Sequence, residues 1–274
     1  MPNMQIGEVE LYYEIRGQGD PLLLIHGLGS SSRDWEYQIE PFSQNYQVVA
    51  MDVRGHGRSA KPPGPYSIPL FAADAAELIR ALRLVPAHVV GISMGGMIGL
   101  QLAVDAPDLV RSLVVVNAGP EMIVRTWRER WQLLQRQLIV RVLGLRKMGE
   151  VLGGRLFPKP EQGDLRQLFA ERWAENDPRA YREAMNALVG WSVTDWLEAI
   201  ACPVLVVAAD QDYTPVEAKA AYVQRLPRAE LQIIADSRHA TPVEHPEPFN
   251  QVLRDFLRRQ PDLPHQDNKP EPNG

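Results

Sequence analysis

Cysteine occurs once in the 274 residues, at Cys202. One thiol closes no internal disulfide and builds no Cys-x-x-Cys site, so a disulfide scaffold and a Cys-x-x-Cys metal centre are excluded. Its place beside Pro203, at the head of an apolar run, reads as a buried structural thiol. Long apolar runs are also missing, which predicts no membrane span. The first eight residues, Met-Pro-Asn-Met-Gln-Ile-Gly-Glu, hold no basic region followed by an apolar one. No secretory leader is therefore expected, and the predicted location is cytoplasmic. An excess of positive charge is lacking too: 29 Lys and Arg stand against 34 Asp and Glu, a net charge of −5. That balance gives no reason to expect a nucleic-acid or membrane partner. The rest is ordinary for a globular chain, with 45% hydrophobic and 23% charged residues and length for one large α/β domain or two small ones.

What is present is a rhythm of short apolar strands and helices. Met4–Arg16 alternates like a hairpin with a turn near Gly7. Pro21–His26 is an apolar run bounded by Gly-rich loops, as expected of a strand buried on both faces, and Gln47–Asp52 is predicted as another buried strand. Helices are predicted over Ser32–Phe42 and Ser67–Leu84. Further strands are predicted at Ala87–Val90, Leu113–Asn117, Val204–Ala208 and Leu231–Ile234, with a closing helix over Phe249–Leu257. Strands alternating with helices predict an α/β fold: a doubly wound, mainly parallel sheet with helices on both faces. Residues 120–199 break the rhythm with helical pieces only, at Met122–Leu143, Asp164–Trp173 and Arg179–Val189. Five of the six tryptophans (127, 131, 173, 191 and 196) fall there. They read as the small core of a helical insertion, with a pocket lining as the other reading. The cations Arg125, Arg128, Arg130, Arg136, Arg141, Arg146 and Lys147 read as a solvated helix face that could also attract an anionic substrate. The stretch 260–274, rich in Pro, Asn and charge, is expected to be disordered.

The chemistry concentrates at Val-Val-Gly-Ile-Ser-Met-Gly-Gly, residues 89–96. This is a G-x-S-x-G pattern between a strand and a helix. A sharp strand-to-helix turn projects the Ser93 side chain clear of the sheet, and Gly91 and Gly95 stand where a β-carbon would collide. The helix N-terminus adds a positive dipole end where an oxyanion would form. A serine hydroxyl is a weak nucleophile at neutral pH, so it needs a base, and the base an orienting acid. Asp210-Gln211-Asp212 follows one strand and Asp236-Ser237-Arg238-His239 follows the last, both at the sheet edge where open α/β sheets place their sites.

With these segments in view, residues 4–258 resemble the α/β-hydrolase superfamily. His26-Gly27-Leu28-Gly29 looks like its oxyanion loop. Asp52-Val53-Arg54-Gly55-His56-Gly57-Arg58-Ser59 is similar to its D-x-R-G-x-G-x-S segment, and Gly91–Gly96 to its nucleophile elbow. The branch resembled is that of small serine esterases, lactonases and cofactor-free haloperoxidases, with 3-oxoadipate enol-lactonases as near relatives. The resemblance implies a core of residues 1–119 and 200–259, a helical cap over 120–199, and no metal or organic cofactor. It implies a catalytic Ser93, His239 as base and Asp212, rather than Asp210, as acid. The backbone N–H groups of Leu28 and Met94 would form the oxyanion hole. A second acid position known in the family falls near Asn117, whose amide carries no charge to hold an imidazolium. Among the other histidines, His26 and His56 are expected to shape turns, His88 opens a buried strand, His245 lies past the loop and His265 in the tail. The expected activity is hydrolysis of a small-molecule carboxylic ester or lactone through an acyl-enzyme. Carbon–carbon bond hydrolysis, haloperoxidase or perhydrolase chemistry, and a hydrolase-fold small-ligand receptor are the alternatives. A homo-oligomer is left open.

Overall fold

The computed structural model describes residues 3–261. Eight strands form one sheet: β1 (Asn3–Ile6), β2 (Val9–Arg16), β3 (Asp20–Ile25), β4 (Tyr46–Met51), β5 (Ala87–Ile92), β6 (Val110–Val116), β7 (Val204–Ala209) and β8 (Ala229–Ile234). Their spatial order is β1-β2-β4-β3-β5-β6-β7-β8. β1 and β2 form the antiparallel hairpin predicted for Met4–Arg16, turning at Gly7 with φ +54°, and β2 runs antiparallel to β4. From β4 to β8 every pairing is parallel. The α/β reading therefore holds.

The buried strands feed two cores in strict alternation, because successive side chains point to opposite faces. Leu23, Val89, Val115 and Val206 pack on one face, under α2 (Ile68–Ala81) and α3 (Met94–Asp105). Leu22, Leu24, Val90, Val114 and Leu205 pack on the other, with Trp35, Phe42 of α1 (Glu36–Phe42) and Phe249, Leu253 and Phe256 of the closing helix (Pro246–Arg258). Winding proceeds from β3 outward to β4, then resumes at β5 on the other side of β3. The crevice at the carboxyl ends of β3 and β5 is thus the switch point of the sheet.

Between β6 and β7 lie α4 (Trp127–Leu156), α5 (Gly163–Ala174) and α6 (Pro178–Leu188). The first departs from the Met122–Leu143 prediction at both ends. Thr126 and Glu129 form a capping box that starts the helix at Trp127. It continues past Gly144, where φ +79° and ψ 175° mark a break rather than an end. The tryptophans divide. Trp173 packs with Val140, Met148 and Tyr181 in the insertion's own core, and Trp191 is buried against the sheet core with its N–H on Gln101. Trp127, Trp131 and Trp196 are exposed at 77%, 56% and 60%, so neither a core nor a pocket reading holds for them. They sit on α4 faces turned to solvent or in the short 3-10 segment Thr194–Ala199.

Cys202 is half-buried rather than fully buried, and burial pushes its thiol up to about 11, so it stays protonated. Among the described residues no helix is long and apolar enough to cross a membrane. The predicted tail lies almost entirely in 262–274, outside the described residues, as does His265.

Candidate active site

The turn from β5 into α3 is as tight as the glycine pattern requires. Ser93 sits at φ 54°, ψ −118°, a left-handed conformation that an L-residue holds only under constraint. The constraint is visible on both sides. The Ser93 N–H bonds to Val116 O at 2.9 Å, and its carbonyl accepts from Met97 N–H at 3.1 Å. A β-carbon on Gly91 would lie 2.1 Å from Gly95 O, and one on Gly95 would lie 2.1 Å from Ile25 O. Both clashes are with backbone, which cannot swing aside. Gly95→Ala is therefore expected to destabilise the protein by about 3 kcal/mol, read as a lower urea midpoint at unchanged m-value; an unshifted midpoint would show that the turn has slack.

The loop after β3 passes close by: a β-carbon on Gly27 would stand 3.4 Å from Ser93 Cβ. Gly27 and Leu28 of this loop line the same cavity as Ser93. Met94 opens α3, so its N–H has no carbonyl of its own helix to bond. His26 shapes this loop as expected. Its Nε2 accepts the Val53 N–H at 3.0 Å, so the proton is on Nδ1, donating to Gly27 O at 2.7 Å. Burial holds it down at about 4 and hence neutral. The Asp52–Ser59 segment braces the loop from behind. Asp52 accepts from the N–H groups of Ser32 and Arg58, and Arg54 pairs with the buried Asp74 at 2.5 Å. His56 stacks edge-on against His26 at 5.2 Å, and His88 bonds Ser112 Oγ at 2.7 Å. Neither approaches Ser93's chemistry.

Asp212 and His239 meet as predicted: His239 Nδ1 lies 2.8 Å from Asp212 Oδ1. Burial opposes a charged Asp212, but the hydrogen bonds and charge of His239, with Lys219 and Thr214, outweigh it and hold the carboxyl at about 2. Asp210 is turned away and accepts the Ser237 N–H at 3.1 Å, shaping the histidine loop. Asn117, at positive φ, does not approach the imidazole. Its amide donates to the carbonyls of Arg238 and His239 and to Thr241, and its oxygen takes the Ala209 N–H at 2.8 Å. It clamps the His239 backbone to the ends of β6 and β7.

Three residues that the sequence reading did not single out complete the site. The Tyr213 hydroxyl hydrogen-bonds His239 Nε2 and also engages Ser93, so a phenol stands between these two side chains. Lys219, on α7 (Val216–Val223), is buried against Asp212 Oδ2 at 2.7 Å. Arg136 alone of the seven cations on the basic run faces inward. Its Nε donates to Tyr181 OH at 2.7 Å, and its guanidinium lies over the rings of Trp173 and Tyr181. Arg125 pairs with Glu121 and Lys147 with Glu150, while Arg128, Arg130, Arg141 and Arg146 are exposed. A signal for Tyr213 and Lys219 was their position beside Asp212 in the same segment; only the fold of α4 could select Arg136.

Ser93, His239, Tyr213, Leu28, Arg136 and Trp173 all line one cavity of about 580 Å³, roofed by the helices between β6 and β7. The family profile described as alpha/beta hydrolase fold matches residues 20–246. The chain belongs to that family. Over 272 residues it is 35% identical to a putative carbamate hydrolase RutD of Caulobacter segnis, covering 93% of this chain and 99% of that protein. It is 29% identical over 259 residues to 3-oxoadipate enol-lactonase 2 of Acinetobacter baylyi, covering 92% and 94%. The crystal structure of the enol-lactonase from Burkholderia xenovorans LB400 superposes with a TM-score of 0.87 at 23% identity, over 94% of this chain and all of that one. That last likeness is one of fold. The family and the curated relatives together support hydrolase activity.

Proposed function

We propose that this α/β-hydrolase is a serine hydrolase that cleaves a carboxylic ester or lactone of a small molecule bearing a carboxylate. One observation carries the reading: Ser93, on its strained turn, opens onto a cavity that His239 also lines, and His239 is paired behind it with the buried Asp212 carboxylate. In this mechanism the Tyr213 side chain turns off Nε2 as substrate enters. Ser93 then attacks the carbonyl while His239 takes its proton, and the oxyanion rests on the Leu28 and Met94 amides, each such donor supplying roughly 3 kcal/mol. His239 protonates the leaving alcohol or enol, then activates the water that releases the acid, with Asp212 orienting the imidazole throughout. A carbamate presents the same carbonyl to the same groups, and the RutD-like relatives favour it as the second reading. Action in the cytoplasm is part of the proposal.

The carboxylate is argued from Arg136. The cavity's other charged groups are paired: Asp34 faces Arg172 at 3.5 Å, Glu121 binds Arg125 and Arg225 reaches Glu198. Among the described residues no acidic side chain pairs with Arg136, and its two terminal nitrogens are free to take a substrate carboxylate bidentately. The named substrate of the A. baylyi relative, an oxoadipate lactone, is of that class. Arg136→Met is expected to lower kcat/KM for a succinate monoester by about 30-fold, the worth of one charge-assisted hydrogen bond. Hydrolysis of p-nitrophenyl acetate should barely change. Equal losses on both substrates would remove the carboxylate from the proposal, and a panel of esters, lactones and carbamates ranks the leaving group.

A further inference from the structure

Behind the His239–Asp212 pair lies a charge that the acyl-transfer steps do not call for. Lys219 is 2% exposed, and the Asp212 side chain is fully buried at 0%. The lysine sits on the first turns of α7, and its stem folds back toward the helix start. All three ammonium hydrogens are placed, on Asp212 Oδ2, Thr214 O and Thr214 Oγ1, each at 2.7 Å. The Thr214 hydroxyl donates to the same Oδ2. On the other oxygen, Asp212 Oδ1 accepts from the Tyr213 N–H and from His239, each at 2.8 Å. The carboxylate thus takes two hydrogen bonds on each oxygen.

Geometry alone does not require a cation at this place. Thr214 and the Tyr213 amide already fix the carboxylate plane, and a neutral donor would complete the set. Burying an ammonium is costly unless its charge is matched, so the informative feature is the charge. A lone Asp212 anion would draw a proton onto His239 and leave the base occupied. A cation on the far oxygen cancels most of that pull, since an opposite charge stabilises a charged form and a like charge opposes it.

We infer that Lys219 is a positioning residue that tunes the base: its ammonium neutralises Asp212 so that His239 stays unprotonated, and Ser93 activatable, at lower pH. The inference rests on the serine-hydrolase reading above. Other charges around the pair do not substitute for it. From the histidine loop, Arg238 faces Glu244 at 4.0 Å, and Asp236 is paired with Lys159 at 2.5 Å. Asp210 is committed to the Ser237 amide. From the roof, Arg136 acts on the Tyr213 hydroxyl, and that hydroxyl meets His239 at Nε2, not at the carboxylate.

The test needs no knowledge of the substrate. The second-order rate of inactivation by a fluorophosphonate is measured against pH for the wild type and for Lys219→Met, Lys219→Gln and Lys219→Arg. Both neutral variants are expected to shift the acid limb upward by about one pH unit, becoming about tenfold slower on that limb. Their alkaline plateau should stay within a few-fold, and Lys219→Arg should keep the wild-type limb. The inference is overturned if the neutral variants lose rate equally at every pH with the limb unmoved, or if Lys219→Arg shifts with them. Should Lys219→Met not fold, Lys219→Gln, which retains a donor toward Asp212, carries the comparison. Misfolding of both neutral variants beside a folded Lys219→Arg would assign the charge to stability and likewise overturn it. A wild type that does not label, or labelling that survives Ser93→Ala, instead removes the hydrolase reading and this inference with it.

Discussion

Ser93→Ala is expected to lower kcat/KM toward p-nitrophenyl acetate by roughly 10⁵-fold while the protein remains folded. The expectation follows from position as much as from chemistry. Gly91 and Gly95 leave space for one backbone path only, and that path places the residue-93 side chain over the cavity. Alanine accepts the same path at the same strain, so the fold is kept and only the hydroxyl is lost. Ser93→Gly separates the two effects. It should be equally inactive yet about 1 kcal/mol more stable, because glycine holds φ 54° without a β-carbon penalty. Retention of more than about a thousandth of the activity in Ser93→Ala would mean that another group attacks.

Asp212→Asn is expected to cost about 10⁴-fold in kcat, and here it carries a second penalty. The amide must present its oxygen either to Lys219 or to His239. Facing Lys219, it turns its NH₂ toward the Nδ1–H of His239, donor against donor, which drives the imidazole to the wrong tautomer. Facing His239, it turns the NH₂ toward a buried ammonium. In both cases Lys219, at 2% exposure, is left without its counter-charge, a loss of about 3 kcal/mol of stability. Thermal unfolding and single-turnover kinetics on the same sample report the two costs separately. A variant as stable as wild type would show that Lys219 finds water or another anion.

The fold was legible because its strands announce themselves twice, as β-branched apolar runs and as alternation between two cores. The elbow was legible because Gly91 and Gly95 are steric necessities: a β-carbon at either would lie 2.1 Å from a backbone oxygen. The pairing of His239 with Asp212 rather than Asp210 followed from where β7 ends and from the family pattern. What stayed hidden depends on distances that no spacing encodes. Arg136 is one cation among seven until α4 turns it inward beneath Tyr181. Trp127 and Trp131 carry the same letter as Trp173, yet only Trp173 reaches Gly29 and the cavity. The helix start at Trp127 was marked by Thr126 and Glu129, a capping box that a reading by apolar period alone passes over. Nothing in the sequence marks Lys219, because burial of a charge shows only where its partner stands.

The central claim is that the Ser93 hydroxyl is the nucleophile of a hydrolase. Reaction of the folded protein with a fluorophosphonate, followed by peptide mass mapping, tests it most directly. The account predicts one stoichiometric adduct on Ser93, absent from Ser93→Ala and preserved in Arg136→Met. A folded protein that takes no label, or takes it on another residue, would contradict it.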